Sequence, residues 1–543
     1  MRIVSQQIKR VFMLCIMTCV ALFVNAAKDD EVLSMAHGSV EAIAVPDDSI
    51  ALDSVSYLTY DNDTYDYRQH YLHNDTLWFD EATGRRVHLQ RLFDVDTLVV
   101  PNKRFLKPVL ESLGINFGVW GWDHFVTDRD WADVNMDVIR RNLKSRFVLD
   151  YDSYSGNQFS HPYHGSMFYN AARYHGQSYY TAALYPLIGS VVWEYFCETN
   201  RPAFNDFIST GIGGSAIGEV TFRTSDIVFD NSKRGFVRVM RELVGTVLNP
   251  TRGLHRLLSG EAWRYSPARG KRMQPEPFSM DAGIGVRYMH EMKHLHRTKE
   301  NSYVEFHLRY GDPFMKKKRR KPFDVFSLDM LINTSGHNPT FSLLEIRGRL
   351  FGKTFETSRN WKHDLAVHQN FKYVDNYGDK DNEHPGDFVL VNEACSFGVG
   401  LYSKKNGPKW SYFNDFQLNG VAFGGTTADY FQGRRYNFAS GFSLRNDQRV
   451  TLNRKLAFGH DFYYAFFAVP KGPADPTDMG DYNWGDKGVH NIFINRLYLV
   501  ANLRHNFKIN VERELYYRIS NYRDFENFRA KSYQFKMGLL YSM

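Results

Sequence analysis

The sequence predicts a transmembrane β-barrel of the outer membrane that carries a helical segment near its beginning. Three observations predict this fold class: an apolar N-terminal run typical of an export signal, strand-length segments that alternate apolar and polar residues, and alternation that continues to the last residue. The 543 residues are 43% hydrophobic, 23% charged and 15% aromatic. This composition excludes a wholly disordered chain, and the charges spread along the sequence exclude a bundle of membrane helices.

An export signal is expected at residues 1–26. Basic residues precede an apolar run, VFMLCIMTCVALFV, at residues 11–24. Because this run is shorter than the roughly 20 residues of a spanning helix, we expect a cleavable signal peptide ending at Ala26 in place of a membrane anchor. Cys197 and Cys395 are the cysteines beyond the signal, and two distant cysteines do not make a disulfide scaffold.

An acidic leader is expected at residues 27–100. Its Asp-rich clusters, such as DDE at residues 29–31, interrupt any sustained helical period. A segment with so little apolar surface does not build a core, so we expect a largely flexible periplasmic leader. The formal net charge of the whole chain, +7, is too small to indicate a nucleic-acid partner, and we expect none.

Segments with a period of two predict the barrel strands. We assign the first strands to residues 110–156 and the remainder of the barrel to residues 278–543. Residues 340–352 show the pattern well, with Leu344, Ile346, Gly348 and Leu350 on one face and Glu345, Arg347 and Arg349 on the other. An outer-membrane barrel requires an apolar face toward lipid and a polar lumen, whereas a soluble sandwich seldom carries dense charge on strand after strand.

The lengths of the connections support the same topology. Tight connections at residues 403–408 and 504–506 alternate with long ones at residues 375–387 and 470–489. Outer-membrane barrels have short periplasmic turns and long outer loops, so the last strand, which alternates up to Met543, ends in the periplasm. The pattern predicts about 14 antiparallel strands, and 12 remain possible.

Residues 157–277 interrupt the strand pattern and predict an inserted helical segment on the periplasmic or lumenal side. Pro162 and Gly165 mark a turn that leads into a helix. Residues 177–193 carry no charge, but they include a proline and a glycine and are rich in tyrosine. We therefore expect helices buried against or within the barrel, as a plug-like segment, and not a helix that spans the bilayer.

Four blocks within this segment are specific in sequence. They are HPYHGSMFYNAAR at residues 161–173, GS with WE at residues 189–194, ND at residues 205–206, and GIGG with GE at residues 211–219. In this order they resemble the bacterial family catalogued as domain of unknown function 3943, over roughly residues 110–225. The resemblance implies an exported outer-membrane protein of Gram-negative bacteria, and it supplies no catalytic assignment.

Two histidines in these blocks are candidate metal ligands. His161 and His164 lie three residues apart, a spacing that can direct two imidazoles toward one ion. Glu194, Asp206 and Glu219 would complete a site of nitrogen and oxygen ligands. Without the helical HExxH pattern, however, two such histidines form a weak motif, and the identity of any metal stays open.

The same residues have a catalytic and a structural interpretation. In a hydrolase, a histidine would act as base, Asp206 would orient it, and Ser166 or Ser190 would be the nucleophile. In a structural role, the histidines would cap a helix and Glu194 would pair with Arg173. The candidate catalytic residues are His161, His164, Asp206 and Glu219.

Two classes of function follow from these patterns. The first is a non-enzymatic outer-membrane barrel that serves envelope organisation or solute passage, which the charged lumen rows favour. The second is an outer-membrane hydrolase that acts on lipid or lipopolysaccharide through the His161, His164 and Asp206 region. No cofactor is predicted. The expected partners are outer-membrane lipids and, during insertion, the barrel-assembly machinery.

Overall fold

The structure is a computed structural model. It describes residues 77–80, 85–88, 103–266, 276–291, 298–315, 320–334, 341–358, 361–376 and 389–542. The predicted signal peptide lies outside the described residues, as does most of the leader. Within the leader, strands β1 (Leu77–Asp80) and β2 (Arg85–His88) form a short antiparallel hairpin. No helix among the described residues is long and apolar enough to cross a membrane.

Twelve antiparallel strands close into a barrel. They are β3 (Phe278–Glu291), β4 (Thr298–Tyr310), β5 (Phe326–Asn333), β6 (Phe341–Ser358), β7 (Trp361–Asp375), β8 (Leu390–Asn406), β9 (Trp410–Thr427), β10 (Tyr436–Leu452), β11 (Leu456–Val469), β12 (Gly488–Asn502), β13 (Phe507–Tyr522) and β14 (Phe528–Ser542). Each strand pairs with the next along the chain, and β14 closes on β3. Closure gives every strand two neighbours, so the sheet has no free edge.

The helical segment precedes the barrel. Its helices are α1 (Leu106–Phe125), α2 (Met136–Lys144), α3 (His161–Tyr174), α4 (Tyr179–Ala182), α5 (Leu184–Phe196), α6 (Phe204–Ile208), α7 (Gly214–Val228), α8 (Gly235–Leu248) and α9 (Pro250–Leu258). Glycines allow α3 and α7 to approach closely, since a Cβ added at Gly214 would lie 2.8 Å from Gly165 Cα.

The barrel is confirmed with the smaller of the two predicted strand numbers. Residues 110–156, expected to form the first strands, instead hold most of α1, all of α2 and one isolated bridge at Val148. The prediction was wrong there because short aromatic-rich apolar runs look alike in a strand and in a buried helix. The helices are therefore not inserted between strands, since all twelve strands follow them.

The helices lie against the outer wall of the barrel and not in its lumen. On β7, Lys372 points into the lumen and pairs with Glu345, whereas Phe371 and Tyr373 point outward and are buried. Tyr154 stacks on Tyr373 with ring centroids 4.9 Å apart. The plug-like interpretation is therefore corrected: the outward face of these strands is apolar, and helices cover it in place of lipid.

The rest of the outer wall exposes apolar side chains. Examples on β3, β8, β12 and β14 are Ile284, Val399, Leu497, Phe535, Met537 and Leu539. On the same outer face, Tyr464, Phe493 and Tyr517 form a row of aromatic contacts. An apolar outer band with aromatic residues around a charged lumen is the arrangement of an outer-membrane barrel, whose outer surface contacts membrane lipid.

Candidate functional site

Three helical elements bring the sequence-predicted residues together. His161 opens α3 directly after a π-helical turn, Gly156–Ser160, with Pro162 in the first turn. Glu194 lies near the end of α5, and Asp206 lies in the first turn of α6.

The side chains of His161, Glu194 and Asp206 converge. One ligand atom from each lies within 4.8 Å of those from the other two. His161 Nε2 is 3.7 Å from Asp206 Oδ1 and 4.0 Å from Asp152 Oδ2. Three of the five predicted ligands therefore meet at one place, which we call the His161 cluster: His161, Glu194 and Asp206.

Hydrogen bonds hold the carboxylates around this cluster in place. Asn205 Nδ2 donates to Asp150 Oδ1 and to Asp206 Oδ1, both at 2.9 Å. The Ala203 amide donates to Glu194 Oε2 at 2.7 Å. The other oxygen, Glu194 Oε1, is buried and has no hydrogen-bond partner within the described chain. A buried oxygen without a partner costs free energy, so the cluster is incompletely satisfied.

Carboxylates crowd this buried site. Burial, reinforced by neighbouring carboxylates, raises the pKa of Asp206 and of Glu194 well above the usual range. Burial and the charge of Asp150 raise the pKa of Asp152 to about 6. Burial lowers the pKa of His161, so its imidazole is biased toward the neutral form that can ligate a metal.

His164 does not join the cluster. Its ring contacts Phe168 and Trp193, with centroids 4.7 Å and 4.9 Å away. Burial lowers the pKa of His164 to about 3, which keeps the ring neutral in this aromatic setting. We therefore assign it a packing role in place of the helix-capping role expected in the structural interpretation.

Glu219 also lies outside the cluster. Its carboxylate pairs with Arg173 and Arg223, both at 2.8 Å, and accepts a hydrogen bond from Tyr169 Oη at 2.6 Å. Arg223 continues to Asp324 in the connection between β4 and β5, at 3.1 Å. The ion pair expected between Glu194 and Arg173 is thus formed by Glu219, because Arg173 on α3 faces α7.

The two candidate nucleophiles do not complete a triad. Ser166 Oγ donates to the Tyr163 carbonyl oxygen at 2.6 Å, a bond within α3. Ser190 Oγ is buried without a hydrogen-bond partner among the described residues. Since neither hydroxyl bonds to a histidine in the described ranges, the geometry supports metal ligation at His161 better than nucleophilic catalysis.

Sequence reasoning missed several acids and one further cluster. Asp150 and Asp152 lie a few residues before the π-helical turn that leads into the HPYHG block and could have been noticed as an Asp-Tyr-Asp signal. Glu111 bonds His175 Nε2 at 2.5 Å and His255 Nε2 at 2.7 Å. No local pattern could have found this second cluster, because its members are separated by 64 and 144 residues.

The lumen is the other candidate site. Its side chains form ion pairs: Arg347 lies 3.3 Å from Asp329 and 3.4 Å from Asp415, and Arg496 lies 2.8 Å from Asp461. A cavity of about 560 Å³ opens at the end where residues 407–409, 453–455 and 503–506 connect the strands. Its lining includes His307, Arg309, Lys404, Asp415, Arg449 and Lys508.

These features define an outer-membrane β-barrel with a helical domain attached to its outer wall. Residues 146–251, which contain the whole His161 cluster, match the family described as "Domain of unknown function (DUF3943)". The resemblance carried by the four sequence blocks is therefore confirmed over these residues. No curated protein matches the chain.

Among solved structures, several outer-membrane proteins are similar to the barrel. A KdgM porin in complex with disordered oligogalacturonate has 11% identity and a TM-score of 0.22, over 49% of this chain and 99% of its own. The NanC porin has 10% identity and a TM-score of 0.25, over 48% and 98%. The Pseudomonas putida toluene transporter TodX has 6% identity and a TM-score of 0.21, over 50% and 90%. Such low scores add nothing to the barrel that the strand pairing already defines.

Proposed function

We propose that this outer-membrane barrel binds small polar solutes in its lumen and lets them pass. The observation that carries the proposal is the charged cavity of about 560 Å³ at the end that holds the tight connections 407–409, 453–455 and 503–506. In outer-membrane barrels this end faces the periplasm. Because Arg309, Lys404 and Lys508 share the lining with Asp281 and Asp415, both signs of charge are available to a polar solute.

An apolar layer closes the opposite end of the lumen. Val391, Phe467 and Ile492 belong to a buried apolar cluster contributed by β8, β11 and β12. Water and polar solutes avoid such a constriction, and channels use similar layers to gate by dewetting. Passage therefore requires this layer to move, and the resting barrel is a closed one.

Conductance of the purified full chain in planar bilayers tests this function. Phe467→Ala removes an inward aromatic ring from the closing layer and should increase open events several-fold over the unaltered chain. The matched control is Phe466→Ala, because Phe466 is the outward neighbour and stacks on Phe442 at 5.5 Å. If neither the unaltered chain nor Phe467→Ala conducts ions or polar solutes, passage is ruled out.

Export and assembly form part of the same proposal. We propose that a signal peptide at residues 1–26 is removed, that the leader remains in the periplasm, and that the barrel-assembly machinery inserts the strands. N-terminal sequencing of the protein from outer-membrane fractions should then begin at Ala27. A chain that retains Met1 in that fraction would show that no cleavage occurs.

A hydrolase acting on lipid or lipopolysaccharide is a second candidate, favoured by the convergence of His161, Glu194 and Asp206. His161 would be the base and Asp206 its orienting partner, whereas His164 and Glu219 would serve only the helical framework. Mass spectrometry of envelope lipids tests this candidate in cells without the protein and in cells with His161→Ala. A lipid change on deletion that His161→Ala reproduces would support the hydrolase, whereas lipids unchanged from those of cells with the unaltered protein would exclude it. His255→Gln serves as a histidine control outside the cluster.

A further inference from the structure

The His161 cluster includes a buried polar atom without a hydrogen-bond partner among the described residues. Glu194 is only 2% exposed, so water does not compensate its free oxygen, Oε1. His161 and Asp206 each present a ligand atom within 4.8 Å of a Glu194 oxygen. The geometry points to a binding site for a divalent metal cation formed by these three side chains, independent of passage through the lumen.

The carboxylates around the His161 cluster create negative charge that a bound cation would balance. Asp150, Asp152 and Glu198 place further carboxylates near Glu194 and Asp206. The nearby Arg434 guanidinium donates instead to two main-chain oxygens, those of Asp150 at 2.6 Å and Asn483 at 2.5 Å. A bound divalent ion relieves the repulsion between the carboxylates, which burial makes stronger than it is in water.

The donor set selects the chemical class of the ion. One imidazole nitrogen and two carboxylates suit Zn²⁺ or Mn²⁺ better than Ca²⁺, which prefers oxygen ligands alone. Ligand atoms about 2.1 Å from a shared zinc lie at most ~4.2 Å apart, so small side-chain rotations close the site. Asp152, whose side chain is 46% exposed, borders the cluster on the solvent side and provides a path for the ion.

The second cluster, formed by Glu111, His175 and His255, differs from the His161 cluster in the hydrogen bonding of its carboxylate. Both of its carboxylate oxygens already bond histidine nitrogens directly, at 2.5 Å and 2.7 Å. That arrangement satisfies the polar atoms without an ion. A variant in this second cluster, His255→Gln, is therefore a matched control for a variant in the first.

Zinc binding by the full chain tests the inference. The chain is purified in detergent, stripped with a chelator and titrated with Zn²⁺ by calorimetry, and its metal content is measured after dialysis. We expect one tight site in the unaltered chain and in His255→Gln. His161→Gln and Asp206→Asn should each weaken that site by at least about tenfold, as loss of one metal contact does.

Thermal unfolding without metal distinguishes a folded variant that has lost the metal site from a variant that fails to fold. Asp206→Asn keeps the size of the side chain and removes a carboxyl group whose ionisation burial and the neighbouring carboxylates oppose. The metal-free variant should therefore melt at or above the temperature of the metal-free unaltered chain. Zinc should raise the melting temperatures of the unaltered chain and of His255→Gln more than that of Asp206→Asn. Absence of tight zinc binding in the unaltered chain, or equal binding in Asp206→Asn, overturns the inference.

Helices α8 and α9 bury charged side chains and expose apolar ones, an inverted polarity. Arg238, Arg241, Arg252 and Arg256 are buried, and Arg256 pairs with Glu242 at 2.6 Å and Glu261 at 3.0 Å. Phe236, Leu258 and Trp263, by contrast, are 77%, 79% and 77% exposed. A helix pair surrounded by water shows the opposite arrangement, with charge outside and apolar residues inside.

This inverted pair belongs to the layer that covers the barrel wall. On the uncovered strands, the outward side chains form the apolar band that faces lipid. The helices occupy the place of lipid on β6 and β7, so their own outer surface continues that band. We propose that the exposed apolar face of α8 and α9 contacts the acyl chains of the outer membrane.

Fluorescent probes in liposomes test this contact. Leu258→Cys, in a chain whose Cys197 and Cys395 are replaced by alanine, is labelled with an environment-sensitive dye. The matched control is Asp137→Cys on α2, whose side chain is 89% exposed. We expect apolar emission and quenching by brominated acyl chains at position 258 but not at 137. Aqueous emission at position 258 overturns the proposal.

Discussion

The Glu219 carboxylate joins three side chains of the helical segment. Arg173 on α3, Arg223 on α7 and the Tyr169 hydroxyl all contact it, and the residue is completely buried. Burial acts to raise the pKa of Glu219, but the charges of the two arginines outweigh burial and hold the pKa below its usual value. This residue was a catalytic candidate in the sequence, where its spacing gave no sign of two arginine partners.

Neutralising Glu219 should destabilise the protein strongly. Glu219→Gln removes the buried charge that pairs with both Arg173 and Arg223, which costs about 3 to 5 kcal/mol of unfolding free energy. The depressed pKa also means that the stabilisation is complete above the unfolded-state pKa, about 4.3, and is lost as the pH falls through the folded-state value. Denaturant unfolding at several pH values measures both effects.

The exposed pair between Asp137 and Arg140 on α2 is the control. Its side chains are 89% and 68% exposed, so solvent screens the interaction and Asp137→Asn should cost less than ~1 kcal/mol. Equal losses for Glu219→Gln and Asp137→Asn would contradict the structural role assigned to Glu219.

At the scale of elements, glycines set how closely the helices pack. A Cβ added at Gly165 on α3 would collide with the Thr210 carbonyl oxygen at 2.0 Å, whereas one added at Gly118 on α1 would meet nothing within 4 Å. The two positions therefore separate the packing effect of a glycine from its low helix propensity.

The pair of alanine substitutions should change stability in opposite directions. Gly165→Ala forces α3 away from the π-helical turn before α7 and should cost roughly 1 to 3 kcal/mol. Gly118→Ala should be neutral or stabilise by up to about 1 kcal/mol, because alanine favours the helix. Thermal melting of both variants measures the difference, and similar behaviour would argue against close packing at Gly165.

At the scale of the whole molecule, the helices and the lumen should be functionally separate. Phe159 stacks on Phe341 of β6 with centroids 4.3 Å apart, on the outer side of the wall. Phe159→Ala should lower stability by about 1 to 3 kcal/mol and leave single-channel conductance unchanged. Conductance that rises in this variant, as it should for Phe467→Ala, would instead indicate that the helices obstruct the lumen.

Alternation along the strands was enough to predict the barrel and the polarity of its two faces. Arg347 and Glu345 were placed in the lumen from their spacing alone, since successive strand residues point to opposite sides. The His161 region was also recognisable, because its histidine and the later Asp206 lie in specific sequence blocks.

Only the tertiary structure decided what covers the outer wall and which acids meet. An apolar outward face is satisfied equally by lipid or by a helix, so the strand pattern could not place α3 and α7 against β7. The barrel closes with twelve strands, and the aromatic runs before residue 157 lie outside it, largely in helices. The meeting of His161 with Glu194 and Asp206, and of Glu219 with two arginines, depends on contacts between distant segments, which no local spacing encodes.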